Sequence, residues 1–321
     1  MARQIENLDE KCYREAVREQ QFHQEDWLKV GYAPKGFYLK DFCIFKHGNV
    51  YHLFHIAGTP GVSCCLPGNE LWFGHATTKN FRYWETHEPC LYIDTNGWDN
   101  GHVFAPYVIE FQGKFWMFYT GVSIKNRQRI GLAVSDDLYS WRRVSKNPII
   151  TPEKYPWAFC PDDRGSACRD PHICRFGDEF SLYYTAVTRE GKGCVARASS
   201  ADLLHWKDGG PVFMSDQLAH PESSNVQEFE GKYFLFFGGQ YEFWSYVISD
   251  DPFDWKNRKP IPLKQGITAM EVIVRKGSLW LVAYFKMDNY RLFLGTIDWA
   301  EAKPTIREIM QEAELKEFFI N

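Results

Sequence analysis

The amino-acid sequence predicts an all-β protein, a five-bladed β-propeller with short helical extensions at its N and C termini. The main observation is an internal repeat of five 17-residue segments that align without gaps. They begin at Asp41, Pro106, Asp170, Ser224 and Met270. Aromatic residues make up 17% of the 321-residue chain, and such residues favour packed β-sheets. A supersecondary unit that recurs in this way is typical of a propeller, in which each unit forms one blade.

Each 17-residue segment is predicted to form a β-hairpin. Its eighth position is always glycine, and its eleventh position is always aromatic. The glycines are Gly48, Gly113, Gly177, Gly231 and Gly277. Because glycine readily adopts the positive φ that a tight turn requires, it marks the point where the chain reverses between two β-rich runs.

A third strand is predicted after each hairpin. It is an alternating segment that leads into a polar turn and a tryptophan. The tryptophans are Trp84, Trp141, Trp206, Trp255 and Trp299. Each unit therefore has at least three strands, and a propeller blade usually has four. A β-sandwich is the alternative fold, but it gives no reason for five matched units.

The two ends of the chain are predicted to be helical. Apolar residues recur with a helical period in an N-terminal extension over residues 1–30. The propeller is expected over residues 31–300, and a C-terminal helix over residues 301–321, with Pro304 near its start. Both extensions are expected to pack on the side of the propeller. One of them is the expected dimer contact if the protein is a homodimer rather than a monomer.

The overall composition argues against several kinds of partner. The net charge of −4 gives no general attraction for nucleic acid or an anionic membrane. The sequence has no apolar N-terminal segment and no apolar run long enough to span a bilayer, so a cytoplasmic location is expected. The nine cysteines are odd in number and irregularly spaced, which argues against a disulfide framework and a zinc site. No metal and no organic cofactor are expected.

Three carboxylates are predicted to meet at one rim of the central channel. The first strand of each blade lines this channel, and the first aligned position lies at its start. Asp41 and Asp170 occupy that position in blades 1 and 3. Glu222 precedes Ser224 by two residues and faces the same way, because side chains alternate along a strand. Glu271 is one residue out of phase and is expected to point sideways.

Carboxylates in unequal environments acquire different pKa values, and such a pair is the machinery of glycoside hydrolysis. A carboxylic acid protonates the leaving oxygen, while a carboxylate attacks the sugar or activates water. A third carboxylate, kept ionised by Arg169, stabilises the positive charge of the transition state. Taken singly, each carboxylate is equally consistent with a turn cap or a solvated surface residue. Their shared register is what indicates catalysis.

With these residues the chain resembles the five-bladed propeller glycosidases, which include glycoside hydrolase families 43, 32, 62, 68 and 117. The likeness covers about residues 36–299. It implies that Asp41 is the base or nucleophile, that Asp170 stabilises the transition state or modulates a pKa, and that Glu222 is the acid. The implied activity is exo-acting hydrolysis of a furanoside or pentoside oligosaccharide with an arabinofuranosyl, xylosyl or fructosyl unit.

Two motifs resemble those of the fructan-cleaving family 32, and two others depart from it. Arg169-Asp170-Pro171 and the stretch Tyr-His-Leu-Phe at 51–54 are similar to that family. Lys-Asp-Phe at 40–42 stands where that family usually has Asn-Asp-Pro, and Glu-Ser-Ser at 222–224 where it has Glu-Cys-Pro. The sequence also leaves no room for the C-terminal β-sandwich of that family. These departures favour an inverting, family-43-like enzyme over a retaining fructanase, with a low pKa for the base Asp41 and a raised pKa for the acid Glu222.

Five residues are predicted to bind substrate: Arg169, Trp98, His102, Trp157 and His220. Trp98 and His102 lie in a turn-rich loop that leads into blade 2, and Trp157 lies in the loop that leads into blade 3. Aromatic rings in such loops can stack on a sugar, although packing within the loop is the alternative. The likeness to family 117, a dimeric group whose acid is a histidine, makes His220 or His102 an alternative acid.

Two other functions are compatible with the sequence. A non-catalytic sugar-binding propeller would keep the aromatic residues but would need no matched acid and base. A phosphorylase or transglycosidase on the same scaffold is the other alternative, and a phosphorylase needs cations for phosphate. Lys40, Arg169 and Arg164 are the candidates for that role. The leading prediction is a glycoside hydrolase that acts on an oligosaccharide.

Overall fold

A computed structural model confirms the predicted five-bladed β-propeller, in which each blade is a four-stranded antiparallel sheet. The structure describes residues 27–160, 167–215, 220–240, 243–299 and 303–319. Within these ranges twenty strands follow one another along the chain, and each blade is built from four consecutive strands. The innermost strand of each blade comes first.

The bounds of the strands agree with the predicted repeat. Blade 1 contains β1 (Tyr38–His47), β2 (Val50–Gly58), β3 (Trp72–Thr78) and β4 (Glu85–Tyr92). Blade 2 contains β5 (His102–Phe111), β6 (Lys114–Val122), β7 (Gln128–Ser135) and β8 (Arg142–Arg143). Blade 3 contains β9 (Cys168–Phe176), β10 (Glu179–Val187), β11 (Gly193–Ser200) and β12 (Lys207–Met214). Blade 4 contains β13 (Glu222–Phe229), β14 (Lys232–Gln240), β15 (Phe243–Ser249) and β16 (Ile261–Gln265). Blade 5 contains β17 (Thr268–Lys276), β18 (Leu279–Lys286), β19 (Arg291–Asp298) and β20 (Thr305–Glu308).

The five inner strands form a closed ring around the axis. Strand β5 lies against β1 and β9, strand β13 lies against β9 and β17, and β17 contacts β1. The predicted hairpin glycines make the turns between the first two strands of each blade, with a φ of 56° at Gly48 and 74° at Gly231. Residues at the start of each inner strand are therefore brought to one end of a common channel.

The polar turn before each tryptophan has a recurring hydrogen-bond pattern. In blade 2 the Ser135 hydroxyl accepts a hydrogen bond from the Leu138 amide at 2.9 Å, and the Trp141 indole donates to the Leu138 carbonyl at 3.1 Å. Ser200, Leu203 and Trp206 repeat these contacts in blade 3. The Trp141 ring then packs edge-on against Phe54 of blade 1 at 5.6 Å. The tryptophans thus help to join neighbouring blades.

The hydrophobic core lies between adjacent blades rather than on the axis. Between blades 1 and 2, for example, Phe54 and Phe73 pack with Val103 and Met117, and all four side chains are buried. Similar clusters fill the other interfaces. The channel is left to polar and charged side chains, which is the arrangement that an axial site requires.

The two ends of the chain differ from the prediction in part. Residues 1–26 of the predicted N-terminal extension lie outside the described residues, and the structure describes only the single turn α1 (Trp27–Val30). The C-terminal helix is confined to α2 (Glu312–Phe319). Residues 305–308 form β20, which pairs with β19, because the exposed edge of β19 offers backbone hydrogen bonds that an isolated helical turn does not. Neither α1 nor α2 is long and apolar enough to cross a bilayer.

Candidate active site

A β-bulge interrupts the inner strand of every blade at the same end of the channel. In blade 2, for example, the pairing register shifts between Phe104 and Tyr107. One residue of each bulge has a positive φ although it is not glycine. These residues are Asp41, Ala105, Asp170, Ser223 and Ala269. A bulge bends its strand and re-aims side chains, and such strained backbone persists only where the surrounding structure holds it.

The five bulges surround a pocket at the end of the channel. Asp41, Asp170, Ser223 and Glu271 line it, together with Pro106 and Pro171. The structure therefore brings the predicted Asp41 and Asp170 to one pocket from blades 1 and 3. The bulges explain the proline at the first position of one aligned segment, Pro106, and the proline at the second position of another, Pro171, because a bulged residue makes no ladder hydrogen bond that proline would break.

Asp41 presents its carboxylate to the pocket. The side chain is half-buried, and no described residue donates a hydrogen bond to it. Burial raises the pKa of Asp41 to about 7, with Lys40 opposing the shift and Asp170 and Glu222 adding to it. The predicted low pKa is therefore wrong, because the loss of solvent and two neighbouring carboxylates outweigh the one nearby ammonium.

Asp170 is held rigidly by three blades. Its Oδ2 accepts hydrogen bonds from the Ser223 amide at 2.9 Å and from the Thr185 hydroxyl at 3.3 Å. Its own amide donates to the Thr120 hydroxyl at 3.0 Å. Burial raises the pKa of Asp170, and the Arg169 charge and these hydrogen bonds oppose the shift. Its Oδ1 accepts no hydrogen bond from the described residues, and the side chain lines the pocket.

Arg169 connects the remaining predicted residues to this centre. Its Nη2 donates to Glu222 Oε1 at 2.6 Å and to His220 Nδ1 at 2.7 Å. Its Nε lies 3.7 Å from Asp170 Oδ2. The Glu222 side chain is 43% exposed, and its charge acts on both aspartates. Glu222 therefore stands at the rim of the pocket, and Arg169 orients it.

Glu271 lies in the axial pocket, so that the predicted sideways orientation is wrong. The register shift between Thr268 and Glu271 places Ala269 and Met270 in a bulge. Because side chains alternate between the two faces of a strand, a shift of one residue turns Glu271 to the opposite face. Glu271 then lines the pocket beside Asp41. Burial raises the pKa of Glu271 to about 8.

Replacement of Glu271 by glutamine is expected to stabilise the fold at alkaline pH. A glutamate of the unfolded chain ionises with a pKa of about 4.3, far below that of Glu271 in the folded state. As the pH rises between these values, the unfolded chain releases a proton that the folded chain retains, so stability falls. Because Glu271 is partly accessible from the channel, we expect a gain of roughly 1–2 kcal/mol at pH 9.

The measurement is urea unfolding of wild type and Glu271→Gln at pH 5 and pH 9. Glu110→Gln, which alters an exposed glutamate on the inner strand of blade 2, is the matched control and should leave the difference between the two pH values unchanged. An equal stability of Glu271→Gln and wild type at pH 9 would contradict the prediction.

Trp98 and Trp157 do not line the axial pocket. Trp98 packs against Tyr119 with ring centroids 6.0 Å apart, and a Cβ on Gly121 would lie 2.3 Å from its ring. The Trp157 indole donates to Asp208 Oδ2 at 2.9 Å. Their loops fold back onto their own blades, so that neither ring lies at the axial pocket.

His102 lies outside the axial pocket as well, in a different cavity. Its Nδ1 hydrogen-bonds with the Asn69 carbonyl at 2.9 Å, and it lines a separate cavity of about 580 Å³ between the loops of blades 1 and 2. Arg164, the third predicted phosphate cation, lies outside the described residues. Within the described ranges, no group of three or more His, Cys, Asp or Glu side chains is arranged to hold a metal ion.

Sequence reasoning missed the two threonines that hold Asp170. A signal for them exists, because Tyr-Thr-Gly-Val at 119–122 and Tyr-Thr-Ala-Val at 184–187 repeat one motif. Thr120 and Thr185 pair with the residue just before the bulge in their blades. The gapless alignment hid this equivalence, because Gly113 is the second residue of its hairpin turn and Gly177 is the first, which offsets the two blades by one residue.

The sequence is similar to a known protein family and to several characterised proteins. Residues 32–311 match the model described as the glycosyl hydrolases family 32 N-terminal domain. A beta-fructofuranosidase of Arabidopsis thaliana is 28% identical over 169 residues, which are 49% of this chain and 27% of that protein. A sucrose-6-phosphate hydrolase of Vibrio alginolyticus is 26% identical over 232 residues, which are 70% of this chain and 44% of that protein. The chain thus spans less than half the length of these curated relatives.

Solved structures share the fold. A Bombyx mori GH32 beta-fructofuranosidase mutant in complex with sucrose has a TM-score of 0.69 at 18% identity, over 94% of this chain and 69% of that chain. A thermostable family-43 glycoside hydrolase has a TM-score of 0.65 at 18% identity, over 84% of this chain and 93% of that chain. At this identity the likeness shows the propeller fold alone.

Proposed function

We propose, from the premise that this chain belongs to glycosyl hydrolase family 32, that it hydrolyses a β-fructofuranoside with retention of configuration. The observation that supports the proposal is that Asp41 and Asp170, from blades 1 and 3, line one pocket, and that Arg169 links Asp170 to Glu222 of blade 4. The names of the matched relatives, a beta-fructofuranosidase and a sucrose-6-phosphate hydrolase, favour fructosyl over the arabinofuranosyl and xylosyl alternatives.

Asp41 acts as the nucleophile in this mechanism. Its unbonded carboxylate attacks the anomeric carbon of the fructosyl unit, while Glu222 donates a proton to the leaving oxygen. A covalent ester to Asp41 results. Glu222, now ionised, takes a proton from water, the water attacks the same anomeric carbon, and Asp41 departs as a carboxylate. The half-exposed position of Glu222 at the rim suits contact with a leaving group and with water.

Asp170 and Arg169 position the reacting groups. Asp170 Oδ2 is occupied by the hydrogen bonds from Ser223 and Thr185, which leaves Oδ1 to accept hydroxyl groups of the sugar. Arg169 fixes the Glu222 carboxyl through its 2.6 Å contact. Groups held in this way keep their geometry without reorganisation during the reaction, which lowers the barrier.

We propose retention in place of the inversion favoured by the sequence. That preference depended on Asp41 and Glu222 coming from different blades and on the departures from the family 32 motifs, whereas the match to the family 32 model, over residues 32–311, supports the retaining alternative. The two mechanisms differ in the separation of the two carboxyl groups, which is about 5–5.5 Å for retention and roughly 6.5–9.5 Å for inversion.

The experiment is hydrolysis of sucrose and of a short fructan, followed by NMR in the first seconds of the reaction. We expect β-fructofuranose as the first product and, in dilute methanol, methyl β-fructofuranoside, because a covalent intermediate can be captured from the same face. Release of single fructose units would support exo action. The α-anomer as first product would refute retention, and cleavage of aryl arabinofuranosides or xylosides without cleavage of sucrose would refute the fructosyl assignment.

A further inference from the structure

A buried ion pair stands beside Asp41, and the proposed reaction gives it no role. Lys40, which directly precedes Asp41 on β1, has its Nζ 3.1 Å from Glu70 Oε1. The two side chains are 9% and 0% exposed. A buried pair of charges is costly to desolvate and contributes little net stability. Stability alone therefore does not explain why the pair lies next to the nucleophile.

Glu70 is fixed in place by its own partners. Its Oε1 accepts a hydrogen bond from the Tyr38 hydroxyl at 2.8 Å, and its Oε2 accepts one from the Cys65 amide at 2.8 Å. Asn69 in turn donates to the Tyr38 hydroxyl at 2.8 Å. Glu70 also has a positive φ of 58°, a conformation that the loop between β2 and β3 maintains. The carboxylate is therefore a rigid anchor.

The contacts of the Lys40 ammonium are with Glu70 and its neighbours, although Asp41 is the charge with the largest effect on it. Lys40 Nζ lies 3.6 Å from Cys65 Sγ and 5.0 Å from the centre of the Phe104 ring, in addition to its contact with Glu70. Among the described residues there is no hydrogen bond or ion pair between Lys40 and Asp41. The ammonium acts on Asp41 through space, and the Asp41 oxygens stay unbonded.

We propose that Glu70 is a positioning residue that holds the Lys40 ammonium off Asp41, so that Asp41 experiences a positive charge but keeps its carboxylate free to attack. This inference rests on the proposed role of Asp41 as nucleophile. A direct salt bridge would occupy the oxygen that must form the bond to the sugar, because a charge-assisted hydrogen bond is among the strongest that proteins form. Without any cation, the buried carboxylate would remain protonated to higher pH.

Several other charged and titratable groups contribute to this balance. Those that act on Asp41 are Lys40, Asp170, Glu222 and Glu70. Those that act on Lys40 are Asp41, Glu70, Cys65 and Cys64. Tyr38 and His102 face Glu70. Lys40 is the charged group with the largest effect on the pKa of Asp41, and Arg169 is a second cation that interacts with Asp41. The position of the Lys40 ammonium should therefore influence the protonation of the nucleophile.

The test compares three variants, Glu70→Gln, Lys40→Met and the double variant. In Glu70→Gln the released ammonium is expected to pair with Asp41. The kcat for sucrose should then fall by roughly 10–100-fold with little change in KM, and the acidic limb of kcat/KM should move to lower pH by about one unit. In Lys40→Met the same limb should move to higher pH, because the cation with the largest effect on Asp41 is lost.

The double variant separates positioning from charge alone. It leaves two neutral side chains, which avoids an unpaired buried charge, and it contains no ammonium that can block Asp41. Its kcat should therefore exceed that of Glu70→Gln. A double variant as slow as Glu70→Gln would overturn the inference, and so would a shift of the acidic limb in Glu70→Gln without a fall in kcat. If Glu70→Gln does not fold, Glu70→Asp takes its place, because its shorter carboxylate cannot hold the ammonium in the same position. Its kcat should fall, and an unchanged kcat would overturn the inference.

A control variant and a measurement without substrate distinguish a failure of this inference from a failure of the proposed function. Glu308→Gln breaks a Lys286–Glu308 pair of 2.7 Å in blade 5 and should change neither kcat nor the pH profile. Carbon-13 NMR of aspartate-labelled protein follows the pKa of Asp41 without substrate, and this pKa should fall in Glu70→Gln and rise in Lys40→Met. Sucrose left uncleaved by wild type, with these NMR shifts present, would refute the function alone. Cleavage without the shifts would refute the role of Glu70.

Discussion

Replacement of Asp41 by asparagine is expected to abolish nearly all activity on sucrose, with a loss in kcat/KM on the order of 10⁴–10⁶-fold. The asparagine amide has the shape of the carboxylate but cannot form the glycosyl ester. Its neutral side chain also removes a carboxyl whose burial raises its pKa, so the fold should be at least as stable as that of wild type. Initial rates and thermal unfolding of the same preparation give both quantities.

Two further variants make the Asp41 prediction specific. Asp136→Asn changes an exposed aspartate that pairs with Lys114 at 3.1 Å, and it should keep full activity. In Asp41→Gly the pocket has room for a small anion, so azide should restore turnover of an activated fructoside and give a product of inverted configuration. Retained activity in Asp41→Asn, or azide rescue with retained configuration, would show that Asp41 is not the nucleophile.

Replacement of Glu222 by glutamine is the second large effect, and it should depend on the leaving group. For sucrose we expect kcat to fall by roughly 10²–10⁴-fold, because the leaving oxygen is no longer protonated. An aryl fructoside with an acidic phenol needs little protonation, so its first step should be far less affected. Glutamine retains an oxygen that can accept the hydrogen bond from Arg169, and the pocket should keep its shape.

Rates for sucrose and for a series of aryl fructosides measure this dependence. Glu179→Gln is the matched control, because Glu179 is an exposed glutamate that contacts Arg197 at 3.3 Å in blade 3, and it should behave as wild type. An equal loss of activity on all leaving groups would exclude Glu222 as the general acid. In that case His220, which accepts from the same Arg169 nitrogen, would be the next residue to vary.

Features that the sequence repeats were predictable from it. The hairpin glycines, the turn before each tryptophan and the five inner strands recur at matching positions, and each depends on contacts close in sequence. The convergence of Asp41 and Asp170 follows from the same repeat, because equivalent positions of a propeller meet at one end of the channel. This part of the site was thus available without coordinates.

Features that occur in one blade only, and so depart from the repeat, could not be predicted from the sequence. The extra residue at Ala269 turns Glu271 into the channel, and the edge of β19 recruits residues 305–308 as a strand. Trp98 and Trp157 turn back onto their own blades. In each case the final position of a segment depends on which nearby strand has unpaired backbone groups or room for a side chain. These nearby strands are distant from the segment in sequence.

The number of blades, their order and the convergence of Asp41 and Asp170 follow from the amino-acid sequence, because a periodic pattern of turn glycines, aromatic residues and alternating strands specifies the unit and its count. The electrostatic state of the site depends instead on how the blades assemble. The pKa of Asp41 depends on burial and on Lys40, Asp170 and Glu222 together, and Arg169 reaches Glu222 across 53 residues of chain. These energies depend on distances between groups from separate blades, and such distances exist only when the ring has closed.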